Sequence, residues 1–170
     1  MRTILGVLVS ALLAAGCAGA TGSAAATPGA SPSSSGPFGG TVQYKHDGSA
    51  ATTKVDVVAD GATVSGTAVT TFGGATHTVR LGCASQSGDT WALGGKIEDT
   101  TVPGERAGGW SAVIVKDGPP QQIGIWLSDD PSSASDCGAW LAATDFATIG
   151  TENFNPVESG ALVPPPGLAP

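Results

Sequence analysis

The amino-acid sequence predicts a mainly β fold: a small antiparallel sheet, meander-like or sandwich-like, with one short C-terminal helix covering it. The 170 residues include 26 Gly and 12 Pro, which disfavours a helical bundle. From residue 41 onwards, short runs alternate apolar and polar side chains, as half-buried strands do. The connections between these runs are short and contain Gly, Asp or Pro, which favours antiparallel neighbours.

Five candidate strands come first in the chain, and each places apolar side chains on one face. The runs are 41–46, 52–58, 62–72, 76–83 and 90–98. In the fourth run, the alternation puts Val79, Leu81 and Cys83 together, and His77 shares their parity. We therefore expect His77 at the rim of the core.

A hairpin over residues 110–127 follows, with its turn at Asp117-Gly118. Both faces of this hairpin carry apolar side chains, so another element must cover one of them. The predicted cover is a helix within 130–144, beginning at Asp130 with Pro131 just inside it.

The N-terminus has the pattern of an export signal. Arg2 precedes the apolar run 4–15, which is shorter than the roughly 20 residues that span a bilayer. The sequence Leu-Ala-Ala-Gly that precedes Cys17 resembles the lipobox of bacterial lipoproteins. That resemblance implies that residues 1–16 are a signal peptide and that Cys17 carries the lipid (palmitate among its acyl chains). The alternative is an ordinary secreted protein.

Composition divides the rest of the chain into three parts. Residues 17–39 are the lipidated Cys and a flexible tether of Ala, Gly, Ser, Thr and Pro, which cannot bury enough apolar surface to fold. Residues 40–158 form the β-rich extracytoplasmic domain. Residues 159–170 are a Pro-rich disordered tail.

The three cysteines suggest one disulfide. With Cys17 lipidated, Cys83 and Cys137 remain, and two thiols in an exported protein favour a bridge. The bridge would pin the helix to a strand end and would stabilise the domain by about 4 kcal/mol. The alternative is two free buried thiols.

Charge and motifs exclude several function classes. The formal net charge of −7 argues against nucleic-acid binding, because no excess of cations faces a phosphate backbone. We expect no metal and no cofactor, since the ligand spacings and glycine fingerprints that hold them are missing from the sequence. We also expect that the protein is not an enzyme. The alternative, a hydrolase, would require a nucleophile beside His77.

The segment Ala-Val-Ile-Val-Lys-Asp-Gly-Pro-Pro-Gln-Gln-Ile-Gly-Ile-Trp, residues 112–126, resembles a stretch of the mycobacterial LpqH lipoprotein-antigen family. The order of signal, lipidated Cys, tether and small acidic domain with two Cys is similar as well. The resemblance implies an actinobacterial cell-envelope lipoprotein without a catalytic role.

The predicted function is therefore a non-enzymatic binding module. We expect a monomer held on the extracytoplasmic face of the cell membrane, which meets an envelope protein or ligand through its hairpin. The predicted contact surface consists of Lys116, Asp117, Gly118, Pro119, Pro120 and Trp126. The alternative is a carrier of a lipid or other apolar small molecule in a cavity between sheet and helix.

Overall fold

The computed structural model describes residues 37–60, 63–128, 136–144 and 153–165. These residues form eight strands and one helix. The strands are β1 (Pro37–His46), β2 (Ser49–Asp60), β3 (Thr63–Phe72), β4 (Ala75–Ser87), β5 (Thr90–Thr100), β6 (Trp110–Lys116), β7 (Gln122–Ser128) and β8 (Asn155–Val163). The helix, α1, spans Cys137–Ala143.

The eight strands form a closed antiparallel barrel in which each strand pairs with its neighbours in the sequence and β1 pairs with β8. The prediction of an open meander or sandwich is therefore wrong, although the mainly β class and the single short helix are right. The error arises from β8, whose residues show no regular alternation that would predict a strand. Without that strand the predicted sheet keeps two free edges, whereas β8 pairs with β1 and removes them.

The strands also extend beyond the predicted domain boundaries. β1 begins at Pro37 rather than near Gly40. The tail predicted from residue 159 is wrong for 159–163, because these residues belong to β8 and Leu162 is buried in the barrel core. The predicted signal peptide, Cys17 and most of the predicted tether lie outside the described residues.

The barrel interior is filled by the alternating apolar side chains of the strands. Its buried residues are Val42, Tyr44, Ala51, Val55, Val57, Val64, Ala68, Val79, Leu81, Trp91, Leu93, Val113, Val115, Ile123 and Leu162. Most of the predicted strand faces are confirmed in this core.

Cys83 is the exception among the predicted faces. The pairing of β4 with β5 shifts register between Leu81 and Cys83, which is a β-bulge. A bulge reverses the alternation beyond it, so Leu81 points into the barrel while Cys83 points outward. Cys83 therefore belongs to a second apolar cluster on the outer wall.

α1 covers this outer cluster. This agrees with the expectation that another element covers one of the two apolar faces of the hairpin over residues 110–127. The cluster holds Cys83, Ala92, Trp110, Ala112, Ile114, Trp140 and Leu141. The helix begins at Cys137, and Asp136 caps it by accepting a hydrogen bond from the Ala139 N–H. The predicted start at Asp130 and Pro131 lies outside the described residues. The predicted disulfide Cys83–Cys137 is confirmed and joins α1 to β4.

The two ends of the barrel differ in their connections. The upper end, as we call it, carries the turns 47–48 and 73–74 and the loop 101–109. The lower end carries the turns 88–89 and 117–121 and the start of β1 at Pro37. No helix among the described residues is long and apolar enough to cross a bilayer.

Candidate functional site

A cavity of about 340 Å³ opens at the upper end of the barrel. Ligand sites in proteins are typically clefts of about 300–1,000 Å³, so this cavity has room for one compact small molecule. Its described lining residues are Tyr44, His46, Asp47, Thr70, Phe72, His77, Glu105, Ile125, Leu127, Asn153 and Asn155.

Most of the lining is polar, and its apolar surface comes from Tyr44, Phe72, Ile125 and Leu127. Phe72, at the end of β3, meets the His46 ring edge-on with the ring centroids 5.4 Å apart. Ile125 and Leu127 line the cavity from β7, and Leu127 remains partly exposed to solvent. Apolar side chains at an open barrel end provide surface that a ligand can cover.

The floor of the cavity is polar and is held by a hydrogen-bonded network. His77 Nδ1 lies 2.6 Å from Glu105 Oε2, and His77 Nε2 lies 3.0 Å from Ser111 Oγ. The Thr100 hydroxyl donates to the same Glu105 oxygen over 2.7 Å. Because His77 is 2% exposed, its two ring nitrogens find their partners inside the protein, as buried polar groups must.

This network reproduces the order of a Ser–His–acid catalytic triad, and Ser111 is the neighbour that the hydrolase alternative required for His77. The accessibility of the hydroxyl decides between catalysis and structure. Ser111 is 0% exposed and does not line the cavity, so a substrate in the cavity does not meet its Oγ. We therefore interpret the network as a support that positions Glu105.

A second chain of hydroxyl groups crosses the barrel interior beside the cavity. The Tyr44 hydroxyl is 3.0 Å from Thr53 Oγ1, which is itself 3.0 Å from Thr70 Oγ1. Burial raises the pKa of the Tyr44 phenol above its ordinary value of 10.0, and the hydrogen bond with Thr53 opposes part of that rise. Tyr44 and Thr70 thus contribute hydrogen-bonded polar groups to the lining of the cavity.

The residues of the predicted contact surface lie at the end of β6, in the turn that follows it and on β7. The turn with Gly118, Pro119 and Pro120 is exposed at the lower end, away from the cavity. Asp117 holds this turn by accepting hydrogen bonds from Trp91 Nε1 and Gln121 Nε2. Lys116 is half-buried at the end of β6.

Trp126 lies elsewhere. It is half-buried and packs against the cluster beneath α1 on the outer wall, with Trp110 and Trp140 among its members. The predicted contact surface of the turn and Trp126 stays a prediction. The predicted cavity between sheet and helix is also absent from the described residues there, because Trp110 and Trp140 stack 5.6 Å apart and fill that space with Leu141.

Sequence reasoning missed most of the upper-end residues. The inward direction of Ser111 was predictable, because Ser111 shares the parity of Val113 and Val115 in the strand and must face inward with them. The position of Glu105 was not predictable, because Glu105 lies in the loop 101–109, where side chains follow no strand periodicity. Among the described residues, no cluster of His, Cys, Asp and Glu could hold a metal ion.

Comparisons with known proteins identify no relative. No family model matches the chain, and neither a curated protein nor a solved structure is significantly similar to it.

Proposed function

We propose that this protein is a lipid-anchored extracytoplasmic binding protein, without catalytic activity, that holds one small molecule in the upper end of its barrel. The observation that carries the proposal is the cavity of about 340 Å³, whose mostly polar lining also presents aromatic and aliphatic side chains. Concave sites of this size with convergent polar groups and apolar surface can bind and orient a ligand.

The barrel architecture supports this proposal. An interior enclosed by eight strands is just wide enough to be filled by side chains or to hold one small ligand. Here apolar side chains fill the interior below, and the space at the upper end stays open. The volume is near the lower limit for ligand sites, which favours a compact molecule over a diacyl lipid.

The cysteines support the proposed location. Cys83 and Cys137 are joined, so Cys17 is the one cysteine of the sequence outside the bridge. Disulfides persist in oxidising compartments, which agrees with export beyond the cytoplasmic membrane. The lipobox-like residues before Cys17 would then direct acylation, and two or more acyl chains would hold the protein stably.

Replacing the proposed lipidation site tests the anchor. We expect Cys17→Ser to move the protein from the membrane fraction to the soluble fraction and to abolish labelling by radioactive palmitate. The exposed Ser159→Ala is the control and should stay membrane-bound and labelled. Palmitate labelling that survives Cys17→Ser would refute lipidation at this residue.

Titration with aminoanthracene, an uncharged dye that fluoresces in apolar sites, tests the cavity. We expect saturable binding of one dye per chain. Leu127→Trp should weaken it at least about tenfold, because the larger ring occupies the cavity. Val58→Trp is the matched control, since Val58 is an exposed apolar residue that does not line the cavity.

The comparison of the two variants decides the outcome. Equal dye binding by Leu127→Trp, Val58→Trp and the unchanged protein would contradict the proposed site. So would a complete lack of saturable binding by the unchanged protein.

A further inference from the structure

We infer that the cavity selects a small organic cation, a compact apolar molecule that carries a protonated amine. This inference rests on the proposed function and specifies the chemical class of its ligand. It follows from three properties of the upper end: the hydrogen bonding of Glu105, the charges of the lining, and the aromatic wall.

Glu105 presents a partly unused carboxylate to the cavity. Its side chain is 10% exposed, so nine-tenths of it is removed from solvent. Oε2 accepts from His77 and from Thr100, whereas no described residue donates to Oε1. A carboxylate has about four acceptor sites, and a desolvated one is stabilised strongly by a charged donor. An ammonium group in the cavity would supply that donor.

The charges around the cavity favour the same ligand. Of the described lining residues, Asp47 and Glu105 are acidic and none is Lys or Arg. The lining also holds His46 and His77, each beside an acidic residue: His46 lies 3.8 Å from Asp47 and His77 lies 2.6 Å from Glu105. The chain as a whole carries −7. An anionic ligand would therefore approach a negative molecule and find no Lys or Arg among these residues.

The wall supplies partners for the remainder of such a ligand. Tyr44 and Phe72 offer aromatic rings, and cations are attracted to the faces of such rings. Ile125 and Leu127 offer aliphatic surface for an apolar body. The combination of a buried carboxylate with aromatic walls matches the two ends of an arylalkylammonium ion.

Three matched probes test the inference by fluorine NMR with the purified full chain: para-fluorophenethylammonium, the corresponding alcohol and the corresponding carboxylate. We expect the ammonium ion to bind at least about tenfold more tightly than the alcohol, and the carboxylate to bind most weakly. In Glu105→Gln, the affinity for the ammonium ion should fall to that for the alcohol. The affinity for the alcohol itself should not change.

Two further variants provide the controls. Glu158→Gln removes the same charge from an exposed residue that does not line the cavity, so the preference for the ammonium ion should persist. Asp47→Asn changes an exposed lip residue at positive φ, where Asn is tolerated, and should lower the preference by a smaller factor. This variant tests the charge argument even if Glu105→Gln does not fold.

The outcomes distinguish the inference from the function on which it rests. If aminoanthracene binds in the cavity but the carboxylate binds as tightly as the ammonium ion, the cation inference fails alone. It also fails if folded Glu105→Gln keeps the full preference. If neither aminoanthracene nor any of the three probes binds, the proposed function fails as well.

Discussion

Tyr44 is the residue at which the interior of the barrel can be observed most directly. It is the single tyrosine of the chain, so its ionisation has a spectroscopic signal without interference. Its ring is 3% exposed, and burial raises the pKa of the phenol above 10.0. The folded state therefore holds the proton more tightly than the unfolded state does.

This difference predicts a loss of stability in alkali. Below pH 10 the phenol is neutral in both states and its contribution is fully present. As the pH rises from 10 through the folded-state pKa, the unfolded state releases its proton first and the free energy of unfolding falls. We expect urea unfolding to show this fall above pH 10 and phenolate absorbance to appear later in the folded protein than in urea.

Tyr44→Phe is the control for this prediction. It lacks the ionisable group, so its stability should depend less on pH in the same range. Phe leaves the Thr53 hydroxyl with Thr70 as its remaining partner, which lowers stability at neutral pH by about 1 kcal/mol. Equal alkaline losses in both proteins would show that Tyr44 is not the group responsible.

Alternation predicts the face of a side chain correctly where a strand is regular. The prediction fails where the backbone carries a bulge. Alternation in the run 62–72 predicts one apolar face, and its residues Val64 and Ala68 are buried in the barrel core with Phe72 packed against it. Cys83 was assigned with Leu81, and the bulge between them reverses its direction. A single-residue bulge leaves no signal in a pattern of apolar residues, because it changes the pairing and not the composition.

At the scale of elements, β8 is the strand that closes the barrel, and it is the strand that the sequence pattern does not predict. Only Leu162 is classed as buried within Asn155–Val163, and Pro156 and Gly160 are both unfavourable in strands. No alternation was therefore available. Its pairing with β7 is short, with the two pairs Gln122–Pro156 and Ile123–Asn155.

The Gln121 side chain extends the short pairing between β7 and β8. Its Nε2 donates to the Leu162 carbonyl over 3.0 Å, and its Oε1 accepts from the Leu162 N–H over 2.9 Å. One carboxamide thus satisfies both backbone groups of a buried residue, as a neighbouring strand would. The closure of the barrel depends partly on this side chain.

We expect Gln121→Leu to lower the free energy of unfolding by about 1–3 kcal/mol, because it leaves the Leu162 backbone groups without partners. Gln43→Leu is the matched control. Gln43 also contacts β8, through Ser159, but the bond is exposed and its loss should change stability by less than about 0.5 kcal/mol. Denaturant unfolding measures both, and equal losses would contradict the role assigned to Gln121.

At the scale of the whole molecule, closure of the barrel creates the proposed site. The alternating runs predicted strands and their antiparallel order, yet strand patterns alone do not show whether a sheet closes. The cavity follows from that closure, since β1, β3, β4, β7 and β8 contribute its lining together with the loop at Glu105. The alternative prediction of a cavity between sheet and helix concerned a place where aromatic residues fill the space.

The position of a bound small molecule tests the central claim, that the upper end of the barrel is the binding site. The measurement is the set of nuclear Overhauser contacts between bound aminoanthracene and the methyl groups of the full chain. We predict contacts with Ile125 and Leu127, which line the cavity. Contacts with Leu141 beneath the helix instead, or with no methyl group of the cavity, would contradict it.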